Sequence, residues 1–275
     1  MEQPTIALDV PAPAAPARRR LTAGFPLGLL LPVLALLGVE LGVRAGLAPA
    51  NLMSPPSSVL EALSWLFDNG LGAHVGASAL RVASGFAIGA LLALGLGALV
   101  ALNRTAERLF DPSFQALRAI PSLAWVPLLL LWFGIDETPK VILIAIGAFF
   151  PVYMGVVAGI RGVDRSLIEV GLLYRLSPLA LARRVLLPAA MPSVLTGLRN
   201  DLSLAWMFMV AAELIAASRG LGYLLTDGRE TGRADIMLAA IVLLALLGKL
   251  SDSAMGAVER RTLAWRDSLS ERDKR

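Results

Sequence analysis

No cysteine occurs among the 275 residues. Its absence excludes a disulfide framework, a thiolate metal site and a thiol nucleophile. Histidine is nearly as scarce, with His74 alone, so neither a His-based metal cluster nor a Ser-His-Asp triad fits; His74 reads as a satisfied or solvated ring rather than a ligand. A phosphate-cradling Gly-x-x-x-x-Gly-Lys-Ser/Thr loop is missing too, because Gly248-Lys249 is followed by Leu250 and lacks the upstream glycine. No cofactor or metal site is therefore expected in this chain. Charged residues make up only 17% of the sequence while 56% is hydrophobic, and the mean hydropathy is +0.70. That is more apolar surface than a soluble core needs, so the class is an all-α integral membrane protein. The lipid bilayer is a partner, and the formal charge of +4 is read by its placement rather than as a sign of nucleic acid.

About six transmembrane helices are expected: Phe25 to Val43, Val82 to Leu102, Phe114 to Gly134, Val141 to Ile160, Pro192 to Ala217 and Ile236 to about Met255. Each approaches the ~20 residues needed to cross about 30 Å of hydrocarbon. Residues 1–20, rich in Pro and Ala and ending in Arg18-Arg19-Arg20, read as a disordered basic tail. Residues 21–265 form the transmembrane domain and 266–275 a charged C-terminal tail. In the second span Gly85, Gly89 and Gly97 lie on one face with Ala93 and Ala101, which lets another backbone come close, within the subunit or across an interface. Pro121 and Pro127 interrupt the third span and imply broken helix geometry beside a cavity, so Pro121, Ser122 and Pro127 are candidates for a translocation pathway. Asn200, Ser203 and Glu213 are candidates on the fifth, since a polar group inside a membrane normally faces protein or water. Glu213 has the alternative of pairing with Arg219 or Arg229 at the outer interface. Asp201 and Glu213 could instead serve as proton carriers in an ion-coupled transporter.

Six spans put both termini on one side. Of the 25 Lys and Arg residues, only Arg44, Arg81, Lys140, Arg219, Arg229 and Arg233 fall on the opposite face, so the termini and the Asp164–Pro188 segment are cytoplasmic by the positive-inside rule. Within that segment Asp164 can cap a helix running to about Arg175, and Ser177-Pro178 supplies a second N-cap with proline at the first helical position. Two short helices with a bend result. Ile168, Leu172 and Leu176 recur at i, i+4 and i+8 and form an apolar ridge beside Glu169, which on a surface helix wants a partner.

This segment resembles the EAA loop of binding-protein-dependent ABC importer permeases: Glu-Ala-Ala, three residues, Gly, nine residues, Ile-x-Leu-Pro. Here Glu169-Val170-Gly171 opens the pattern and Val185-Leu186-Leu187-Pro188 closes it at the full spacing, with Arg175 where the family has glycine. Arg118 to Pro127, Leu131 to Ile135, Gly147 to Tyr153, Gly159-Ile160-Arg161 and Gly220 to Leu224 are similar to the branch importing aliphatic sulfonates, with taurine and nitrate permeases as cousins. The resemblance implies the type I ABC importer permease fold with a cytoplasmic coupling-helix loop. It further implies a non-catalytic subunit of the bacterial inner membrane, working by alternating access with a second copy of itself, two ATP-binding subunits that hold ATP and Mg, and a periplasmic solute-binding protein. The residues implied to dock on the ATPase are Asp164, Leu167, Ile168, Glu169, Gly171, Leu172, Leu176, Ser177, Pro178, Arg183, Leu187 and Pro188.

Overall fold

The computed structural model describes residues 27–47 and 54–265, and all regular structure among them is helical. The expected tails, residues 1–20 and 266–275, lie outside the described residues, as does Phe25. The helices are α1 (Leu27–Arg44), α2 (Pro56–Asp68), α3 (Leu71–Leu102), α4 (Arg104–Arg118), α5 (Val126–Phe133), α6 (Glu137–Arg161), α7 (Arg165–Leu173), α8 (Pro178–Leu181), α9 (Leu187–Ala216), α10 (Leu221–Glu230) and α11 (Ala234–Thr262). A 3-10 turn, Ser122–Trp125, precedes α5, and a π-helical turn, Ala182–Leu186, joins α8 to α9.

Four described helices are long and apolar enough to cross a membrane: α3, α6, the continuous Pro178–Ile215 rod and α11. A fifth crossing arises if α4 and the Ser122–Phe133 segment, bent by 87° to one another, count as one span. The third span is thus broken, as its two prolines implied, and the break is a sharp turn between two helices. The polar stretch from Asn103 to Asp111 is the start of α4, with Asn103 capping the N–H groups of Thr105 and Ala106. The chain turns at Pro121, which has no N–H to carry the helix on. At 18 residues, α1 occupies the place of the expected first span.

The second span starts earlier than its apolar run suggests. Helix α3 reaches back to Leu71 through His74, Ser78 and Arg81, because neighbouring helices supply the partners these polar groups would otherwise take from water. His74 therefore lies on a helix. The last span extends past Lys249 to Thr262.

The core is built where α3, α6 and α9 meet. Gly85, Gly89 and Gly97 all face α6 within the same chain: a Cβ at Gly85 would sit 2.6 Å from Ile144 Cβ, one at Gly97 would sit 3.0 Å from Val156 Cβ, and one at Gly89 would strike the Ala145 carbonyl oxygen. Gly147 of α6 in turn leaves room for the Phe208 ring of α9. The Ala145 carbonyl belongs to a helical backbone that cannot rotate away. Gly89→Leu is accordingly expected to lower stability by about 3 kcal/mol, the upper range for overpacking. Gly95→Leu, at a position with nothing within 4 Å, should leave the thermal midpoint of the purified protein unchanged.

Candidate functional site

The Asp164–Pro188 segment sits at one end of the bundle, and α2 and α10 lie at the other. The Asp164 side chain accepts from Ser166 N–H at 2.9 Å, capping α7, and this hydrogen bond holds its carboxyl below the ordinary carboxylate range. Ser177 Oγ accepts from Ala180 N–H at 3.3 Å, and Pro178 follows at the first helical position.

Between the two caps the bend has a definite construction. Arg175 N–H bonds Leu172 O at 2.9 Å and Leu176 N–H bonds Gly171 O at 3.2 Å, the paired bonds of a Schellman turn. That motif requires a left-handed residue at its centre, and Arg175, with φ 52°, is the one non-glycine residue with positive φ among the described residues. Arg175, which stands where the resembled pattern has glycine, thus takes the left-handed conformation that glycine adopts without steric cost. A side chain in that region costs about 1–2 kcal/mol, offset by about 0.5–1 kcal/mol of extra unfolded-state freedom for glycine. Arg175→Gly should therefore be neutral to about 1 kcal/mol stabilising in a thermal melt, whereas Arg175→Val should be clearly destabilising.

The structure corrects two expectations about this segment. The second helix is not a short separate one: α8 passes through the π turn into α9. Leu187 N–H reaches Ala182 O, five residues back, just before Pro188, which has no N–H to continue an α-helical ladder. Nor do Ile168, Leu172 and Leu176 form a shared open ridge. Ile168 and Leu176 are half-buried, because Gly171 lets Leu181 press against that side of α7; only Leu172 stays exposed. The open apolar residues are instead Leu167, Val170, Leu173, Tyr174 and Leu179. Glu169 is exposed and accepts from Arg165 Nε at 2.9 Å; a surface pair of this kind contributes little and leaves Glu169 available. Arg183 is exposed, and Leu187 and Pro188 are half-buried.

A groove of about 1150 Å³ lies between α7 and the first half of α9, lined by Leu167, Val170, Tyr174, Arg184, Asn200 and Trp265 among others. It takes in Asn200 but not Pro121, Ser122, Pro127, Ser203 or Glu213. Asn200 and Ser203 lie on an exposed face of α9 that also carries Ser193 and Thr196. Thr196 donates to Glu259 of α11 at 2.9 Å. Positions 193, 196, 200 and 203 follow helical spacing, a signal that the sequence reading used at two positions and missed at the other two. Pro121 and Ser122 belong to the break before α5 and Pro127 to its first turn.

Glu213 does not lie on that open face. It is 1% exposed, and its partners are neither Arg219 nor Arg229 side chains. Arg81 Nη1 donates to it at 2.6 Å, Ser78 Oγ at 2.7 Å and Gly222 N–H at 2.7 Å. Arg81 also donates to both Glu137 oxygens, at 2.5 and 2.6 Å, and to the Arg219 carbonyl at 2.6 Å. Lys140 completes the network with a 3.0 Å bond to Glu137. Sequence reading missed Arg81, Glu137 and Ser78 because their partners are far away along the chain. A second ion cluster ties α9 to α11, where Arg199 holds Asp252 through two bonds of 2.6 and 3.0 Å.

Among the described residues no group of acidic, His or Cys side chains could hold a metal ion. Residues 85–264 match the family model described as binding-protein-dependent transport system inner membrane component. The chain is 40% identical to the putative aliphatic sulfonates transport permease protein SsuC of Bacillus subtilis, over 92% of this chain and 91% of that one. It is 40% identical to the protein of the same name in Escherichia coli, over 86% and 90%. It is 34% identical to the taurine transport system permease protein TauC of Escherichia coli, over 90% and 94%. The fold is similar to a chain of the MetNI methionine ABC transporter in an inward-facing conformation, with a TM-score of 0.59 and 23% identity over 72% of this chain and 96% of that one.

Proposed function

This chain belongs to the family of binding-protein-dependent transport system inner membrane components, an ABC importer permease, and on that premise we propose that it carries an aliphatic sulfonate inward across the bacterial inner membrane. The observation that carries the solute class is the 40% identity to two SsuC permeases over nearly whole chains. The family is one of non-catalytic permease subunits. Two copies of this chain would work with two ATP-hydrolysing subunits, which hold ATP and Mg, and with a periplasmic solute-binding protein.

The Asp164–Pro188 segment supplies the ATPase contact. Its open apolar residues Leu167, Val170 and Tyr174 offer knobs, Glu169 offers a charge, and Ser177, Pro178 and Arg183 lie beside them at the start of the long rod. The Schellman turn fixes α7 relative to that rod, so a displacement of α7 is passed to α9 rather than absorbed in a loose loop. The excess of Lys and Arg in the sequence segments assigned to this side supports a cytoplasmic position for it and for both termini.

The polar face of α9, with Ser193, Thr196, Asn200 and Ser203, is the wall of the pathway. Hydroxyl and amide donors suit a sulfonate passing through, since they bind an anion without the strong trap that a buried cation would create. Cells lacking this gene should fail to grow with ethanesulfonate as the sole sulfur source and recover when it is restored. Undiminished growth of the deletion strain would refute the solute assignment.

A further inference from the structure

The rod from Pro178 to Ile215 is 38 residues long, about 57 Å at about 1.5 Å per residue. One end is the proposed ATPase contact. The other carries Glu213, one helical turn before α9 ends at Ala216. Glu213 is bound there to the first turn of α10: its carboxylate accepts from Gly222 N–H, and Ser78 Oγ, which donates to Glu213, accepts from Leu221 N–H at 2.8 Å. A Cβ on Gly220 or Gly222 would run into the Glu213 side chain, so the start of α10 is moulded around this carboxylate. His74 adds a further contact, its Nδ1 lying 3.2 Å from Gly220 N, and its ring stacks on Tyr223 with centroids 5.8 Å apart. Helix α10 is otherwise held by apolar contacts of Leu221 and Leu224 with α2 and α11, which lack direction.

We propose that Glu213, held by Arg81 and Ser78, is a positioning residue that fastens α10 to the far end of the α9 rod, so that α10 reports the state of the ATPase end to the surface where the solute-binding protein docks. The inference rests on the transport reading above. Glu213 and Ser78 are both buried, at the end of α9 away from the proposed ATPase contact. Their effect runs through the placement of α10, whose last residues Arg229 and Glu230 are exposed. Charge-assisted bonds to backbone N–H groups are stiff and directional, which suits a fastening better than the apolar contacts do.

The test uses the complete complex of permease, ATPase and solute-binding protein in proteoliposomes, with ethanesulfonate as solute. Basal ATPase activity and its stimulation by the loaded binding protein are both measured for wild type, Ser78→Ala and Glu213→Gln. The expected result is basal activity within about twofold of wild type and a stimulation ratio reduced by about fivefold or more, the lower range of coupling between sites. A merely structural role would lower basal and stimulated rates in parallel, and that outcome, or an unchanged ratio, overturns the inference. A wild-type complex without stimulation refutes the transport reading and the inference with it. Should Glu213→Gln fail to accumulate, spin labels on Ile215→Cys and Glu230→Cys decide the matter in an otherwise unaltered chain, which has no cysteine of its own. Their distance distribution should be the same with and without ATP, and a shift between the two states would show that α10 does not travel with α9.

Discussion

Arg81→Ala is expected to lower stability by about 3–5 kcal/mol, the cost of removing one partner from a buried ion pair. Arg81 is 5% exposed and Glu213 1% exposed, and the guanidinium bridges Glu213 at 2.6 Å to Glu137 at 2.5 Å. Removing it leaves the Glu213 carboxylate without its cation and the Arg219 carbonyl without its donor. For a chain of this size the thermal midpoint should fall by about 10 °C. Adding Glu213→Gln to Arg81→Ala should restore part of that loss, because the orphaned charge is gone. If the single and double variants melt together, the pair is not what holds this end of the bundle.

Glu169→Lys should abolish solute-stimulated ATP hydrolysis, by about tenfold or more, while the protein still inserts and melts normally. Glu169 is exposed and its one partner, Arg165, is a surface neighbour one turn away, so reversing its charge has little effect on the fold. The loss would arise at the partner ATPase, where a reversed charge in a contact costs several kcal/mol. The check is ATPase activity with and without loaded binding protein, beside the thermal midpoint. Unaltered stimulation would remove Glu169 from the contact.

Much of this organisation was legible in the sequence. The apolar runs located α3, α6, α9 and α11, and the caps at Asp164 and Ser177 fell where local chemistry demanded. What escaped had long-range causes. Ser78 and Arg81 look like the approach to a span because their partners, Glu213 and Glu137, lie more than fifty residues away along the chain. Asn103 to Asp111 reads as a charged break because α4 is amphipathic and rests Phe114, itself stacked on Phe110, against Phe149 and Tyr153 of α6. The direction of the α7 ridge depended on Gly171 meeting Leu181, which no periodicity reveals. Arg175 shows the opposite limit: in the sequence it is only a departure from the resembled glycine, and its left-handed conformation is visible only in the backbone.

The central claim is that this chain moves an anionic sulfonate only when ATP is hydrolysed by a partner. The most direct measurement is uptake of radiolabelled ethanesulfonate into proteoliposomes containing this chain, its ATPase and its binding protein, with ATP inside or outside, and with or without an imposed proton gradient. The account predicts uptake that requires ATP on the side of α7 and binding protein on the side of α10, and that ignores the gradient. Uptake by this chain alone, driven by the gradient in the absence of ATP, would contradict it and make Asp201 and Glu213 candidates for proton carriers.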